Sequence, residues 1–293
     1  MAAPGFIERG TLFQKGRVAA CLQLVHNAVF LKRRLHMPLL ILTGLFLLVA
    51  AAYSSVGFGG GSTYNALLIL SGMDFRLVPS IALTCNILVV AGGVYHYARV
   101  GVLSVGRLLP FITLSIPMAW LGGNLLVTEQ VFIGLLGFSL LVAAAQMLLK
   151  PHTSTPSKTF TPAHYWLVAA PIGGFIGLLA GITGIGGGIF LAPVIYFFHL
   201  APARTVAGIT SGFILVNSFA GLAGQLMKAG DYSPMPGWMQ AWPLFIAVVI
   251  GGQIGSHLGA YHLPENWIKR LTAVLMLYVA VRLIWRWAGM TFA

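Results

Sequence analysis

Long apolar runs follow one another along nearly the whole chain, separated by short polar or charged segments. A membrane-spanning helix needs roughly 20 consecutive apolar residues, and eight of the runs reach about that length. Two further runs, 60–72 and 186–200, are too short to span. The pattern therefore predicts an all-α polytopic membrane protein with about eight transmembrane helices and two short helices, broken or re-entrant. The eight long runs are 38–56, 76–98, 107–127, 131–149, 164–182, 203–227, 239–260 and 268–288.

Each short run begins within or directly after a glycine cluster. Glycine weakens a helix by about 1 kcal/mol relative to alanine, so three consecutive glycines should unwind it. Unwound backbone at membrane depth is tolerated only inside protein or along a cavity, and paired breaks in two halves indicate a transporter's binding site. The alternative explanation of these glycines is close packing between helices. Close packing favours glycines four residues apart, so it explains the consecutive glycines of the clusters poorly and explains pairs such as Gly92-Gly93 better. The clusters comprise Gly57, Gly59, Gly60 and Gly61, and Gly184, Gly186, Gly187 and Gly188.

The two halves of the chain resemble each other beyond the glycines. Thr84-Cys85 aligns with Thr210-Ser211, and Gly122-Gly123-Asn124 aligns with Gly251-Gly252-Gln253, at offsets between 126 and 129 residues. These matches predict two tandem four-helix repeats. Because four crossings are an even number, both halves should point the same way, as a parallel repeat about an axis along the membrane normal.

Polar segments divide the chain into units. We expect 37–150 to form the first transmembrane repeat, 151–163 to be a cytoplasmic linker rich in Pro, Ser and Thr, and 164–293 to form the second repeat. Residues 1–36 are interpreted as an N-terminal extension, with Met37 as the native start. The positive-inside rule favours eight crossings with a cytoplasmic N-terminus, because 13 of the 17 Lys and Arg then lie inside, six of them before residue 37.

Composition limits the class of protein. The chain is 58% hydrophobic and 8% charged, against about 25% charged in soluble domains, which excludes soluble enzymes and nucleic-acid-binding proteins despite a net charge of +12. In a membrane protein, Lys and Arg contact anionic lipid, so lipid and a small substrate are the expected partners. Cys21 and Cys85 lack metal-ligand spacing, and no HExxH or GxSxG motif occurs, so we expect no metal, no cofactor and no enzymatic activity.

Acidic residues are absent from the apolar runs. Intramembrane carboxylates are the usual proton relays and cation ligands. Their absence disfavours a cation carrier or a carboxylate-driven proton pump and suits an anion. The five acidic residues lie in termini and loops and are Glu8, Asp74, Glu129, Asp231 and Glu265.

The two Gly-x-Gly-Gly-Gly clusters, each followed by a short apolar run and then by Thr-Ser or a similar pair, resemble the sulfite exporter TauE/SafE family of permeases. The resemblance covers residues 38–288 and is strongest in the second half, where Pro193 and Gly208-Ile209-Thr210-Ser211 follow the glycines. In the first half, Ala66 stands where the family usually has Pro, and Cys85 stands for Ser. The resemblance implies transport of small anions, often sulfur oxyanions or organosulfonates, in the direction of export and across a bacterial inner membrane.

An anion at membrane depth needs hydrogen-bond donors, and helix N-termini supply free backbone N–H groups and a positive dipole end. We expect the N–H groups of Ser62, Thr63 and Ile189 to converge on one sulfite or sulfonate between the repeats. Polar side chains would add donors, although each hydroxyl can instead bond a carbonyl of its own helix. Besides the clustered glycines, the predicted site residues are Ser62, Thr63, Asn65, Thr84, Asn86, Thr210 and Ser211.

Other interpretations stay open at this point. An anion channel would also use polar backbone and small residues, and the cargo of a carrier could be an organic anion without sulfur. His96, near the end of the 76–98 run, either couples a proton to the anion or belongs to an interfacial belt with Tyr95 and Tyr97.

Overall fold

The computed structural model describes residues 39–71, 73, 77–125, 162–198, 200–228 and 235–292, together with six positions between 130 and 145. Over these residues the structure is helical, with no strand. The helices are α1 (Leu39–Ser54), α2 (Gly61–Leu70), α3 (Val78–Arg99), α4 (Val105–Asn124), α5 (Pro162–Thr183), α6 (Gly188–Phe197), α7 (Ala203–Lys228), α8 (Met235–His257), which continues into a π-helical turn (Leu258–His262), and α9 (Glu265–Phe292).

Five of the described helices are long and apolar enough to cross a membrane: α3, α4, α5, α7, and α8 with its π-helical turn. The helices α1 and α6 are apolar but shorter. The protein is therefore an all-helical membrane protein, and the total of eight crossings stays a prediction. The proposed extension 1–36, most of the linker 151–163 and most of the run 131–149 lie outside the described residues.

Each glycine cluster turns the chain back on itself and is followed by a ten-residue helix. The helix α6 starts beside the far end of α5, where a Cβ added at Gly187 would lie 3.1 Å from Ala180 Cβ. It ends beside the beginning of α5, since Val194 and Tyr165 line the same apolar recess. The helices α5 and α6 therefore form a hairpin.

The helices α1 and α2 form the corresponding hairpin. The rings of Phe46 and Tyr64 stack at 4.7 Å, and the hydroxyl groups of Tyr53 and Thr63 are 3.0 Å apart. The start of α2 lies beside the middle of α3, where a Cβ added at Gly61 would be 2.6 Å from Asn86 Nδ2. Because α2 ends shortly before α3 begins in the chain, it runs antiparallel to α3. Hereafter, tip 1 is residues 55–62 and tip 2 is residues 184–189, each including the first residues of the short helix that follows.

The helices α3 and α7, which correspond in the sequence alignment, run antiparallel. A Cβ added at Gly93 would lie 3.0 Å from Ser211 Oγ, and one added at Gly221 would lie 3.6 Å from Leu83 Cδ1. The expected parallel relation between the halves is therefore wrong. Its reason is that the count gave the short runs no effect on the direction of the chain, whereas each glycine cluster reverses the chain between the two arms of a hairpin.

The two hairpins enter the bundle from opposite ends. The helix α1 runs parallel to α8, since Gly251 and Gly259 meet the backbone at Leu47 and Ser55. The helix α8 in turn runs parallel to α3, since Gly252 meets Val89 and Gly259 meets Tyr97. The helix α5 runs parallel to α4, since Gly173 and Gly181 meet the backbone at Phe111 and Ala119. The helix α4 has the direction of α7, because Leu103 lies by Gly208 and Trp120 by Gly224.

Glycines at intervals of four residues let two helix pairs approach to backbone contact. On α5, Cβ atoms added at Gly173, Gly177 and Gly181 would meet the carbonyl oxygens of Phe111, Ser115 and Ala119 on α4, in rising order along both helices. On α8, Gly251, Gly255 and Gly259 face Leu47, Ala51 and Ser55 in the same way. Each pair joins the first arm of one hairpin to a helix encoded in the other half of the chain.

Candidate functional site

The tips of the two hairpins meet inside the bundle. A Cβ added at Gly61 would lie 3.1 Å from the Gly184 carbonyl oxygen. From α2, Asn65 Nδ2 donates a 2.8 Å hydrogen bond to the Thr183 carbonyl oxygen at the end of α5. Residues 118 positions apart are thereby joined where both helices are interrupted.

Asn86 on α3 lies between the tips and contacts both. Its side chain is fully buried, and its Nδ2 donates a 3.1 Å hydrogen bond to the Ile185 carbonyl oxygen of tip 2. On the other side, a Cβ added at Gly59 would lie 2.8 Å from Asn86 Cγ. A single amide therefore fills the space where the two glycine clusters converge.

The tips need glycine for conformation and for space. Positive φ angles, which L side chains rarely adopt, occur at Gly57 (82°), Gly60 (88°), Gly184 (70°), Gly186 (82°) and Gly187 (82°). A Cβ at Gly57 would strike the backbone of Ala207, and one at Gly184 would lie 2.8 Å from Pro79 Cα. Tip 1 therefore packs against α7 and tip 2 packs against α3, so each tip contacts a helix from the other half of the chain.

Hydroxyl groups on α7 hold tip 1. Ser211 Oγ donates to the Gly57 carbonyl oxygen at 3.1 Å, and Thr210 Oγ1 lies 3.2 Å from the same oxygen. Thr210 Oγ1 is also within 2.9 Å of the Val206 carbonyl oxygen of its own helix. Ser211 is therefore the more specific anchor of the tip.

Replacing Ser211 with alanine should loosen tip 1 without disturbing the helix packing. The lost hydrogen bond contributes about 1 kcal/mol, equivalent to roughly fivefold in an equilibrium constant, so we expect about a fivefold rise in the KM for transport. Ser115→Ala is the matched control, because Ser115 is equally buried and its hydroxyl bonds only a carbonyl of its own helix. Equal effects of both changes would contradict the anchoring role.

Two predicted residues are engaged elsewhere. Thr84 Oγ1 donates to the Ser80 carbonyl oxygen of its own helix at 2.8 Å, which is the alternative that the sequence left open. The N–H of Thr63 donates to the Gly60 carbonyl oxygen at 3.0 Å, so it is not free to bind an anion in this state.

Free backbone donors nevertheless remain at both tips. Within the described part of the chain, the N–H groups that directly precede Thr63 in α2 and Phe190 in α6 donate to no acceptor. They carry the positive end of the helix dipole and are the usual donors in anion sites at helix N-termini. Neither hairpin, 39–70 or 165–197, contains an Asp, Glu, Lys or Arg. The free N–H groups belong to Gly59, Gly60, Gly61 and Ser62 and to Gly186, Gly187, Gly188 and Ile189.

The structure adds polar groups that sequence reasoning missed. Ser218 Oγ is buried without a partner, 3.0 Å from the position of a Cβ at Gly186. Tyr64 OH is also buried and unpaired, next to Gly60. Ser218 lies two helical turns after Ser211, and this spacing on α7 is the signal that could have found it. Asn217, next to Ser218, bonds its own helix, because its Nδ2 donates a 2.9 Å hydrogen bond to the Phe213 carbonyl oxygen.

A histidine cluster lies at the far end of α3. His96 Nε2 is 3.0 Å from Gln253 Oε1, and its ring is 5.4 Å from that of His257. His96 is ten residues from Asn86, or about 15 Å along the helix. In the described ranges, no group of three or more His, Cys, Asp or Glu could hold a metal ion.

Comparison with known proteins identifies the family of the chain. The family described as "Sulfite exporter TauE/SafE" matches residues 40–283. A "Probable membrane transporter protein y4hK" from Sinorhizobium fredii is 34% identical over 244 residues, covering 82% of this chain and 96% of that protein. A "Probable membrane transporter protein YjnA" from Bacillus subtilis is 26% identical over 264 residues, covering 84% and 98%. No solved structure matches the chain.

These findings confirm the resemblance drawn from the glycine clusters. The family and its relatives are membrane transporters rather than enzymes, which agrees with a helical structure that has at least five apolar helices of spanning length. The protein is therefore an integral membrane transporter that works on a small substrate within a lipid bilayer. It belongs to the sulfite exporter TauE/SafE family.

Proposed function

We propose that this transporter moves small anions, sulfur oxyanions or organosulfonates, through a site between tip 1 and tip 2. The observation that carries the proposal is the pair of short helices, α2 and α6, whose first N–H groups are free and near whose starts two glycines, Gly61 and Gly186, both lie beside Asn86. Peptide N–H groups at a helix N-terminus bind an anion without the large desolvation cost of a buried lysine or arginine.

The charges of the hairpins support an anion over a cation. No carboxylate lies in either hairpin, so a bound cation would have only neutral oxygens as ligands. A sulfite or sulfonate group, in contrast, presents three oxygens that can each accept N–H donors. Residues 39–73 also contain no histidine, the side chain that most often changes its charge near neutral pH. The hydrogen-bond donors of tip 1 are therefore neutral at every physiological pH.

The opposed hairpins suggest how access alternates. Because α1 and α5 run antiparallel, each tip is reached from a different end of the bundle. Two halves of opposite direction are the arrangement in which exchanging the conformations of the halves converts an inward-facing site into an outward-facing one. We therefore propose an inverted rather than a parallel repeat, in a bacterial inner membrane, with export as the physiological direction.

Flux into proteoliposomes tests the proposal. We expect saturable uptake of sulfite and of simple organosulfonates, and a comparison with and without a pH gradient shows whether protons are coupled. Flux that grows linearly with concentration to high rates would favour an anion channel instead. Saturable uptake of carboxylates without any uptake of sulfur anions would overturn the proposed substrate and leave a carrier of non-sulfur organic anions.

A further inference from the structure

The two tips differ at one central position. At tip 1, both Gly59 and Gly61 face Asn86. At tip 2, the corresponding Gly186 and Gly188 face Ile214, whose Cγ2 would lie 2.8 Å from a Cβ at Gly186. Ser218 Oγ of α7 and Asn86 Nδ2 lie 3.0 Å and 3.1 Å from the same Cβ position, so the glycines of tip 2 face a hydrocarbon side chain and a hydroxyl of α7 as well as the Asn86 amide.

The orientation of the Asn86 amide is fixed by its neighbour. Its Nδ2 donates to the Ile185 carbonyl oxygen, and a flipped amide would bring two oxygens together instead. Asn86 Oδ1 consequently points away from tip 2, lies against Gly59 beside the start of α2, and is buried without any donor. Buried acceptors are nearly always satisfied, and an unsatisfied one costs free energy.

We propose that Asn86 Oδ1 accepts a hydrogen bond from the transported anion, and that the site thereby selects anions that carry their own O–H or N–H donor. This inference rests on the proposed function. The N–H groups of Gly60 and Gly61 would bind the anionic oxygens, and Asn86 would bind the donor. Hydroxyl- or amino-bearing sulfonates and hydrogensulfite belong to this class, whereas sulfate and plain alkanesulfonates do not.

The buried amide oxygen should discriminate against anions that lack a hydrogen-bond donor. A site with a buried acceptor discriminates strongly against an analogue that lacks the matching donor, because the acceptor is then left unpaired in the complex. For one neutral hydrogen bond we expect about a tenfold difference in kcat/KM, equivalent to about 1.4 kcal/mol.

The test uses two substrates with the same charge. In proteoliposomes, kcat/KM is measured for 2-hydroxyethanesulfonate and for ethanesulfonate, which differ by one hydroxyl group. We expect the wild-type protein to prefer the hydroxylated anion about tenfold, and Asn86→Leu and the smaller Asn86→Ala to reduce this ratio to about one. Ser211→Ala, which loosens the tip but keeps the amide, should retain the ratio.

The outcomes separate this inference from the proposed function. Equal transport of the two sulfonates by the wild-type protein would overturn the selection by Asn86 while leaving an anion carrier in place. A preference for the hydroxylated sulfonate that persists in both Asn86 variants would also overturn the proposed role of Asn86, because another group would then bind the hydroxyl. Absence of transport of either sulfonate, with sulfite also inactive, would instead count against the proposed function itself.

Discussion

Gly57→Ala is expected to reduce transport at least about a hundredfold, because displacing a site by about 1 Å can have that effect. Alanine in the left-handed conformation costs about 1–2 kcal/mol, and the φ of Gly57 is 82°. The added Cβ would also strike the backbone of Ala207, which cannot rotate away as a side chain can. Tip 1 must shift, and its N–H groups are then displaced relative to tip 2. Initial rates of sulfite uptake in proteoliposomes measure the effect.

The matched control is Gly44→Ala on α1. Gly44 lies in the same hairpin, but a Cβ added there would meet nothing within 4 Å, so this variant should transport normally and gain up to about 1 kcal/mol of helix stability. Gly184→Ala should behave like Gly57→Ala, because its φ is 70° and its Cβ would crowd Pro79. Normal transport by folded Gly57→Ala and Gly184→Ala proteins would exclude the tips as the transport site.

Gly177→Leu is expected to prevent the protein from folding to a monodisperse state. Gly177 lies in the middle of the glycine row on α5, where even a Cβ would meet the carbonyl oxygen of Ser115. A leucine forces α4 and α5 apart along their length, and overpacking on this scale costs at least about 3 kcal/mol, a large part of a stability of about 5–15 kcal/mol. Size-exclusion chromatography and thermal unfolding in detergent measure the loss.

Gly106→Leu provides the comparison. Gly106 is on α4, is exposed, and has nothing within 4 Å of an added Cβ, so the same substitution should leave the melting temperature almost unchanged. Gly255→Leu, in the row on α8, should fail in the same manner as Gly177→Leu because its Cβ would meet Ala51 and Ser54 of α1. Similar melting temperatures for Gly177→Leu and Gly106→Leu would show that the glycine rows do not set the helix separation.

The sequence predicted the position of the short helices but not the direction of the chain around them. Consecutive glycines and a run of insufficient length are local signals, and α2 and α6 begin at Gly61 and Gly188, where those signals stand. Whether the run 38–56 crosses fully or returns through a hairpin depends on packing against α8 and α3, which is not local. The relative direction of the two halves therefore had to come from the structure.

The site residues show the same division. Thr84 and Asn86 are two positions apart on α3, and about 200° of helical rotation places them on different faces. Thr84 bonds its own helix while Asn86 reaches Ile185, 99 residues away. In a soluble protein, hydrophobic periodicity would tell the buried face from the exposed one. Here both the interior and the lipid-facing surface are apolar, so the sequence could name the candidates without ranking them.

Because of the glycine rows, the helices that must move together are not neighbours in the sequence. The arm α1 is fastened by backbone contact to α8, and α5 is fastened to α4, so each hairpin is joined to a helix encoded in the other half. A movement that separated the first half of the chain from the second would break both glycine rows at once. Any motion that opens the space between the tips must instead carry α1 with α8 and α4 with α5, as two composite bodies assembled from both halves of the polypeptide.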